Sequence, residues 1–271
     1  MKKNPVKMRK ILSRENLGIT ASVIQRSDLK LHTFTTDYPA IILLRRGKKT
    51  IHIGPKKIVL KVGDAIALAP GTTCDVLNET DQGQFESTWI VFSDPIVEKA
   101  YQSYSNLKKL PEVVGLKNLG AEFIDSFDRG VRSISEPGSI PDVVAEIRLQ
   151  EILGWLTQTG YIFYPDYSEG LIRKLRLLIG SDLQHKWISK DVASSLAMSE
   201  ATLRRKLSSL GHSFNDMLID VRMTSAITML QVTDTPISEI AYKVGYESAS
   251  RFSARFKKRF GFSPNAVRGN S

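Results

Sequence analysis

The strongest constraint on the fold is a pattern that occurs twice within the last hundred residues. Each copy has a short amphipathic segment, a turn, and a second helix that begins at a serine and carries many Lys and Arg residues. The two serines, Ser199 and Ser248, lie 49 residues apart. Serine is a preferred N-cap because its hydroxyl accepts a hydrogen bond from a backbone N–H of the first turn. The repeat predicts two helix-turn-helix units.

The first copy covers residues 187–209. Its first helix is predicted to begin with Ser189 as the cap, Ala197 and Met198 form the turn, and the second helix covers residues 200–207. The apolar residues expected to face inward are Ile188, Val192, Ala193 and Leu196 on the first helix and Leu203 and Leu207 on the second.

The second copy begins after Pro236 with a predicted helix over residues 237–244. Gly245 suits the positive φ angle that often follows a helix. The helix over residues 249–260 carries phenylalanine at every fourth position, at 252, 256 and 260, which predicts a buried stripe with basic residues on the remaining surface.

Between the two copies, apolar residues recur at helical spacing over residues 213–230. They predict one helix of roughly 18 residues, about 27 Å long at ~1.5 Å per residue. Such a helix could hold two base-reading helices roughly one turn of DNA apart, about 34 Å.

The distribution of charge favours a polyanionic partner. The chain has a formal net charge of +10, and the residues from 171 onward hold 16 Lys/Arg and 8 Asp/Glu, a net of +8. The first 170 residues carry a net of only +2. A basic region beside a nearly neutral one indicates nucleic acid as the first candidate, although a merely solvated basic surface would have the same composition.

At these residues the chain resembles the AraC/XylS family of bacterial transcription regulators. The match covers residues 171–268, and its most specific segments are ISEIA at 237–241, VGY at 244–246 and SRFSARFKKRFGFSP at 250–264. Trp187 and the segment MSEATLRRKL at 198–207 resemble the enteric branch that controls virulence or acid-resistance genes. The resemblance implies a sequence-specific activator of virulence or stress genes that binds double-stranded DNA and works with RNA polymerase.

The resemblance and the outward faces of the capped helices together give the expected DNA-contacting residues. Ala201 and Ala254 depart from the longer polar residues common at these family positions, which leaves contact with a thymine methyl group. Arg255 and Lys257 suit phosphate. The full set is Ser199, Ala201, Thr202, Arg204, Arg205, Lys206, Ser248, Ser250, Arg251, Ala254, Arg255, Lys257 and Lys258.

The N-terminal part has a different texture. Short apolar runs at 40–44, 50–53 and 58–62, separated by turn residues, predict a β-sandwich or barrel, and residues 95–160 have a helical pattern. The predicted fold class is α+β, with a regulatory domain over residues 1–160, a linker over 161–170 and a DNA-binding domain over 171–268.

The resemblance implies that the N-terminal domain is a cupin-like barrel with helices that dimerise, and residues 117–135 and 141–159 are the candidate helices. It also implies a small effector in the barrel, for which a fatty acid is one candidate. The alternative is that this domain senses a partner protein and binds no small ligand.

We expect no catalytic residues, no cofactor and no metal. His32 and His52 are isolated in the sequence, and the single cysteine, Cys74, lies in a predicted strand and is expected to be a buried core residue. A DNA-modifying enzyme with an appended reading domain would require a reactive-cysteine pattern that is missing here. There is no apolar run near 18 residues and no secretion signal, so we expect a cytoplasmic protein without a membrane partner.

Overall fold

The computed structural model describes residues 9–165 and 170–268. The chain divides into two compact units. One comprises the residues up to Pro165 together with Gln231–Asp234, and the other comprises the remaining C-terminal residues.

The N-terminal unit is built on β-sheets. Its strands are β1 (Leu12–Arg14), β2 (Gly18–Gln25), β3 (Leu29–Thr35), β4 (Ala40–Arg46), β5 (Lys48–Ile53), β6 (Lys56–Leu60), β7 (Ala65–Leu68), β8 (Thr73–Glu79), β9 (Phe85–Phe92), β10 (Lys108–Lys109), β11 (Val113–Leu116) and β12 (Tyr161–Ile162).

Six of these strands form one antiparallel sheet in the order β1-β2-β9-β4-β7-β11, and four form a second in the order β3-β8-β5-β6. All four residues of β7 are buried, as expected for a strand that is covered on both faces. Along β8 the buried residues alternate, so that Cys74, Val76 and Asn78 face inward. The predicted strand texture is confirmed as two sheets, and closure into a barrel stays a prediction.

The helices of both units follow in chain order. They are α1 (Asp94–Ser103), α2 (Gly120–Ser135), α3 (Asp142–Thr157), α4 (Leu171–Ser181), α5 (Ser189–Ser195), α6 (Glu200–Ser209), α7 (Phe214–Val232), α8 (Ile237–Lys243), α9 (Ala249–Phe260) and α10 (Pro264–Val267).

The helices expected at 117–135 and 141–159 are confirmed as α2 and α3. The uniformly helical pattern expected over residues 95–160 is wrong at β10 and β11. Strand β11 pairs with β7 along its whole length, and a strand of four residues is too short to show a period in the sequence. The predicted linker at 161–170 lies partly outside the described residues. Its first two residues form β12, which pairs with β10.

The described part of the C-terminal unit is helical throughout. Leucines of α4 and α6 pack with α5 and with the first half of α7 in one core. Helix α7 has 19 residues, close to the roughly 18 predicted. The core residues are Leu175, Ile179, Val192, Ala193, Leu203, Leu207, Met217 and Val221.

Candidate DNA-binding surface

Two serine-capped helices, α6 and α9, carry the residues predicted to contact DNA. The Ser199 hydroxyl oxygen accepts a hydrogen bond from the Thr202 N–H at 3.2 Å. The Ser248 hydroxyl oxygen accepts one from the Arg251 N–H at 3.4 Å. Both serines have extended backbone, as an N-cap requires. The two predicted caps are confirmed, and each fixes where its helix begins.

The turn before α9 requires glycine. Gly245 has a φ of +79°, its N–H donates to the Tyr242 carbonyl at 2.9 Å, and the next N–H, of Tyr246, donates to the Ala241 carbonyl at 2.9 Å. This hydrogen-bond pair is the Schellman motif. A Cβ atom on Gly245 would lie 2.3 Å from the Leu183 carbonyl oxygen, so any larger residue would clash. The predicted positive φ is confirmed.

The turn before α6 has the same hydrogen bonds with alanine in place of glycine. Ala197 has a φ of +53°, its N–H donates to the Ser194 carbonyl at 3.0 Å, and the Met198 N–H donates to the Ala193 carbonyl at 3.0 Å. The left-handed conformation costs an alanine about 1 kcal/mol. The two helix-turn-helix units therefore share their turn geometry as well as their serine caps.

Helix α6 separates an apolar side from a basic side. Leu203 and Leu207 are buried, whereas Arg204, Arg205 and Lys206 are exposed. Lys206 lies outside the shallow groove, of about 480 Å³, that the other outward residues form. The groove is lined by Ala201, Thr202, Arg204, Arg205 and Ser208.

Helix α9 has the same division with a larger apolar side. Phe252, Phe256 and Phe260 are buried, and neighbouring rings of this stripe lie 5.7 and 4.7 Å apart between centroids. The basic face is turned outward. The exposed predicted residues are Ser250, Arg251, Ala254, Arg255, Lys257 and Lys258. The structure thus places the predicted residues on two exposed helix faces, and their contacts with DNA stay predictions.

Helix α7 connects the two helix-turn-helix units, and one of its carboxylates, Asp220, makes contacts that were not identified from the sequence. Asp220 accepts hydrogen bonds from Arg176 of α4 at 2.5 Å and from Arg259 of α9 at 3.0 and 2.8 Å. The Arg176 side chain is only 4% exposed. The partners are 44 and 39 residues away from Asp220 in the chain, so no local pattern reveals them. The network ties α9 to α7, the helix that connects the two helix-turn-helix units.

A second charged residue of α7, Arg222, supports the same connection. The Arg222 guanidinium donates to the Leu183 carbonyl at 3.2 Å and to the His185 carbonyl at 2.9 Å. Its Nη2 atom would lie 2.5 Å from a Cβ placed on Gly245. Arg222 therefore sits between the segment that precedes α5 and the turn that precedes α9.

The predicted start of α5 is wrong by one residue. The N-cap is Ile188, with φ −115° and ψ 152°, and Ser189 is the first helical residue. Ile188 is also 53% exposed, contrary to its expected place on the buried face. The cause is its extended backbone, because a side chain before the first helical residue does not follow the helical period. Val192 and Ala193 are buried as predicted, and Leu196 is partly buried.

In the N-terminal unit, the β5–β8 pair buries a lysine that sequence reasoning missed. Lys49 is 5% exposed, and its ammonium group donates to Asn78 Oδ1 at 2.6 Å. The Asn78 amide donates in turn to Gln25 Oε1 at 3.1 Å. Burial lowers the pKa of Lys49 to about 8 and raises the pKa of the neighbouring Cys74 thiol to about 11. Cys74 is buried, as predicted.

The two histidines are closer to each other in the sheet than the sequence indicates. His32 Nδ1 lies 2.9 Å from Asp75 Oδ2, and the strand register places His52 opposite Asp75. Both histidines are exposed. Over residues 9–165 and 170–268, no group of three or more His, Cys, Asp or Glu side chains is arranged to hold a metal ion.

Two surfaces of the N-terminal unit bear on ligands and partners. A crevice of about 570 Å³ lies beside β2, β9 and α2, and its lining includes Arg45, Glu86, Thr88 and Asp128. Helix α3 exposes two large apolar side chains one helical turn apart, Val143 at 65% and Ile147 at 62%.

Among the described helices, none combines the length and the apolarity that crossing a bilayer demands.

The sequence comparisons agree with the geometry of the C-terminal unit. A family model described as a helix-turn-helix domain matches residues 192–270. The chain is 29% identical over 174 residues to the HTH-type transcriptional activator FapR of Escherichia coli, an alignment that covers 63% of this chain and 65% of FapR. It is 40% identical over 91 residues to the transcriptional regulator SirC of Salmonella typhimurium, covering 34% of this chain and 31% of SirC. The aligned region thus spans less than two thirds of either relative.

Solved structures resemble more than nine tenths of the chain. Unsaturated fatty acid-bound ToxT from Vibrio cholerae has a TM-score of 0.67 at 16% identity, covering 93% of this chain and 96% of ToxT. A second ToxT structure, at 1.65 Å resolution, also has a TM-score of 0.67, at 15% identity, and covers 92% of this chain and 97% of ToxT. At these identities the likeness establishes a common two-domain fold. The family resemblance drawn from the sequence is confirmed by the relatives and by the helix-turn-helix match.

Proposed function

Because the C-terminal domain of this chain is an AraC-type helix-turn-helix domain, we propose that the protein is a sequence-specific DNA-binding transcriptional regulator. The observation that carries the proposal is the pair of serine-capped helices, α6 and α9, each with a buried apolar side and an exposed basic side. Helices of this kind enter the major groove and read base edges.

The two reading faces differ in chemistry. Helix α6 presents Arg204 and Arg205, whereas α9 presents Ser250 and Arg251 near its N-terminus. Arginine binds the O6 and N7 atoms of guanine in a bidentate manner, and the remaining Lys and Arg residues suit phosphates. We therefore assign α6 and α9 to two adjacent major-groove segments with different base sequences.

The regulatory role is that of an activator that works with RNA polymerase at virulence or stress genes. Its support is the role that the relatives' names state: FapR is a transcriptional activator and SirC a transcriptional regulator. Genome-wide mapping of bound sites, with transcript measurements in a deletion strain, tests this role. Bound promoters whose transcripts fall in the deletion strain would support it, and transcripts that rise would identify a repressor.

Arginine-to-alanine variants test the assignment of the reading helices. Arg205→Ala and Arg251→Ala should each weaken binding to a mapped operator by about 1–3 kcal/mol in a gel-shift series, where a bidentate base contact is lost. Lys243→Ala is the matched control, because Lys243 lies on α8 and pairs with Glu239 at 2.8 Å. Unchanged operator binding by both arginine variants would refute the assignment.

The N-terminal unit is proposed to sense a small effector, and a fatty acid is the first candidate. Its support is the crevice that contains Arg45, whose guanidinium pairs with Asp128 and would exchange that carboxylate for the carboxylate of a ligand, and the unsaturated fatty acid that is bound to the similar protein ToxT. Native mass spectrometry of the full chain with palmitoleate tests this: a bound mass that is reduced in Arg45→Gln is expected. No bound mass would favour the alternative, a domain that senses a partner protein and binds no small ligand.

The exposed apolar pair on α3 supports a homodimer. Val143 and Ile147 are four residues apart and lie on one helix face. A charge placed there should break an apolar interface. Sedimentation analysis should therefore find Ile147→Glu monomeric, and Gln102→Glu, on the exposed side of α1, should sediment as the wild type does. A wild-type monomer would refute the dimer.

A further inference from the structure

A groove of about 700 Å³ runs along the outward face of α9. One wall is basic and consists of Arg251, Arg255 and Lys258 of that helix. The opposite wall comes from the segment that joins α4 to α5, at the start of the first helix-turn-helix unit, with Lys186, Trp187 and Ile188. This second wall brings one further cation and exposed apolar surface beside the predicted reading helix.

The second wall is held in a fixed position. The Trp187 indole N–H donates to the Asp182 carbonyl at 2.8 Å, and the indole ring packs against His185 at 4.4 Å between centroids. Arg222 of α7 donates to the His185 carbonyl at 2.9 Å. Trp187 is half-buried against the core of the C-terminal unit, and because its indole N–H is already bonded, the part of the ring that lines the groove is apolar. The exposed Ile188 extends that surface.

An apolar surface flanked by cations matches the chemistry of a DNA strand. Deoxyribose presents carbon and hydrogen atoms, and each phosphate carries one negative charge. Most protein–DNA contacts are made to this backbone, and they fix the register of a reading helix without reading sequence. A groove that borders the basic face of α9 lies where the strand flanking its major-groove segment would pass.

One carboxylate stands in this basic groove. Glu247 lies 3.0 Å from the Lys186 ammonium, and the two side chains are 75% and 88% exposed. The hydrogen bond and the charge of Lys186 lower the pKa of Glu247, and the charge of Arg251 lowers it further. An exposed ion pair contributes little to folding. The ion pair can therefore break, at little cost to folding, when a phosphate competes with Glu247 for the Lys186 ammonium.

Resting on the proposed function, the inference concerns the same DNA site: we propose that Lys186 and Trp187 bind the DNA backbone beside the segment read by α9. In the free protein the Glu247 carboxylate pairs with the Lys186 ammonium, and in the complex a DNA phosphate takes the place of that carboxylate. Glu247 then acts as a built-in competitor that weakens binding to DNA of any sequence.

Substitutions of Lys186 and of Glu247 should therefore change the affinity for DNA in opposite directions. Loss of the lysine removes a phosphate contact and weakens binding. Loss of the glutamate charge frees the lysine and strengthens binding. If Lys186 merely positioned the turn through Glu247, both substitutions would weaken binding alike.

The experiment measures salt dependence on DNA of unspecified sequence. The full-length chain is titrated against a fluorescent duplex of random sequence, roughly 30 base pairs long, and anisotropy is recorded between about 50 and 200 mM NaCl. Lys186→Met should bind more weakly, with a slope of log K against log salt that is smaller by about 0.9. The wild-type advantage should accordingly shrink by about 3.5-fold across this range. Glu247→Gln should bind more tightly than wild type at every salt concentration.

Lys243→Met is the matched control, because Lys243 also pairs with a glutamate and does not line the groove. It should match the wild type in affinity and slope. A Lys186→Met variant with wild-type affinity and slope, or a Glu247→Gln variant that binds more weakly, would overturn the inference while the loss of operator binding in Arg251→Ala upheld the proposed function. A wild-type chain that binds no DNA would overturn the proposed function and the inference together.

Discussion

Replacing the buried Lys49 with methionine should stabilise the N-terminal unit at neutral pH. Burial lowers the pKa of this lysine from 10.5 to about 8, so the folded state holds its proton less tightly than the unfolded state does. At pH 7 the charged lysine therefore costs the fold about 3 kcal/mol. Methionine has a similar shape and no charge. It leaves Asn78 without its 2.6 Å donor, which costs about 1 kcal/mol. The net expectation is a gain of about 2 kcal/mol.

The sign of the pH dependence follows from the same shift. The folded pKa of Lys49 lies below the unfolded one, so the wild-type penalty is full below pH 8 and disappears as the pH rises from 8 to 10.5. Between pH 7 and 9 the wild type should gain about 1.3 kcal/mol relative to Lys49→Met. Cys74 acts in the opposite direction, because its raised pKa makes the native state lose stability as the pH rises above 9. The comparison therefore stops at pH 9.

Urea unfolding of the full-length chain at pH 7, 8 and 9 measures both quantities. Fluorescence of Trp89 and Trp155 reports the N-terminal transition when Trp187→Phe is present in every variant. Lys57→Met is the matched control, because Lys57 is exposed on β6 in the same sheet. A Lys49→Met protein that is less stable than wild type at pH 7, or a difference that is equal at pH 7 and 9, would refute the reasoning.

Three further substitutions test the C-terminal unit through thermal unfolding. Gly245→Ala should lose about 2–4 kcal/mol, because it combines a left-handed backbone with a Cβ atom 2.3 Å from a carbonyl oxygen. Ala197→Gly, at the equivalent turn, should change stability by less than about 1 kcal/mol, since relief of strain offsets the greater freedom of the unfolded chain. Asp220→Asn should lose about 2 kcal/mol, because it removes the charge that joins Arg176 and Arg259. Equal effects at the two turns, or an unchanged Asp220 variant, would contradict these expectations.

The C-terminal unit could be predicted closely because its signals are local. A cap acts within three residues, a Schellman turn within five, and a helical face repeats every three or four. Ser199, Ser248 and Gly245 can be identified on these grounds. The prediction that Ile188 is buried is wrong because α5 begins one residue later, at Ser189, and a side chain before the first helical residue does not follow the helical period. Strand β11 is missed because four residues show no period.

The residues that sequence reasoning missed depend on contacts between distant segments. Lys49 faces the interior because the strand register pairs it with Asn78, which lies 29 residues further along the chain. The Asp220 network and the second wall of the groove likewise join residues about 40 to 60 positions apart. Charged residues at helical spacing are usually read as a solvated face, so only the tertiary structure distinguishes a positioning carboxylate from an ordinary one.

The residues missed from the sequence change what is expected of the two proposed reading helices, α6 and α9. Helix α7 alone would fix the distance between the two helix-turn-helix units and leave the rotation of one relative to the other undetermined. Asp220 and Arg222 remove much of that freedom, since one binds α4 and α9 and the other binds the carbonyls next to the Gly245 turn. A connection of fixed length and restricted rotation should favour one spacing of the two proposed DNA segments. Because α6 and α9 present different residues, the proposed target is an asymmetric site whose two parts cannot be exchanged or moved apart.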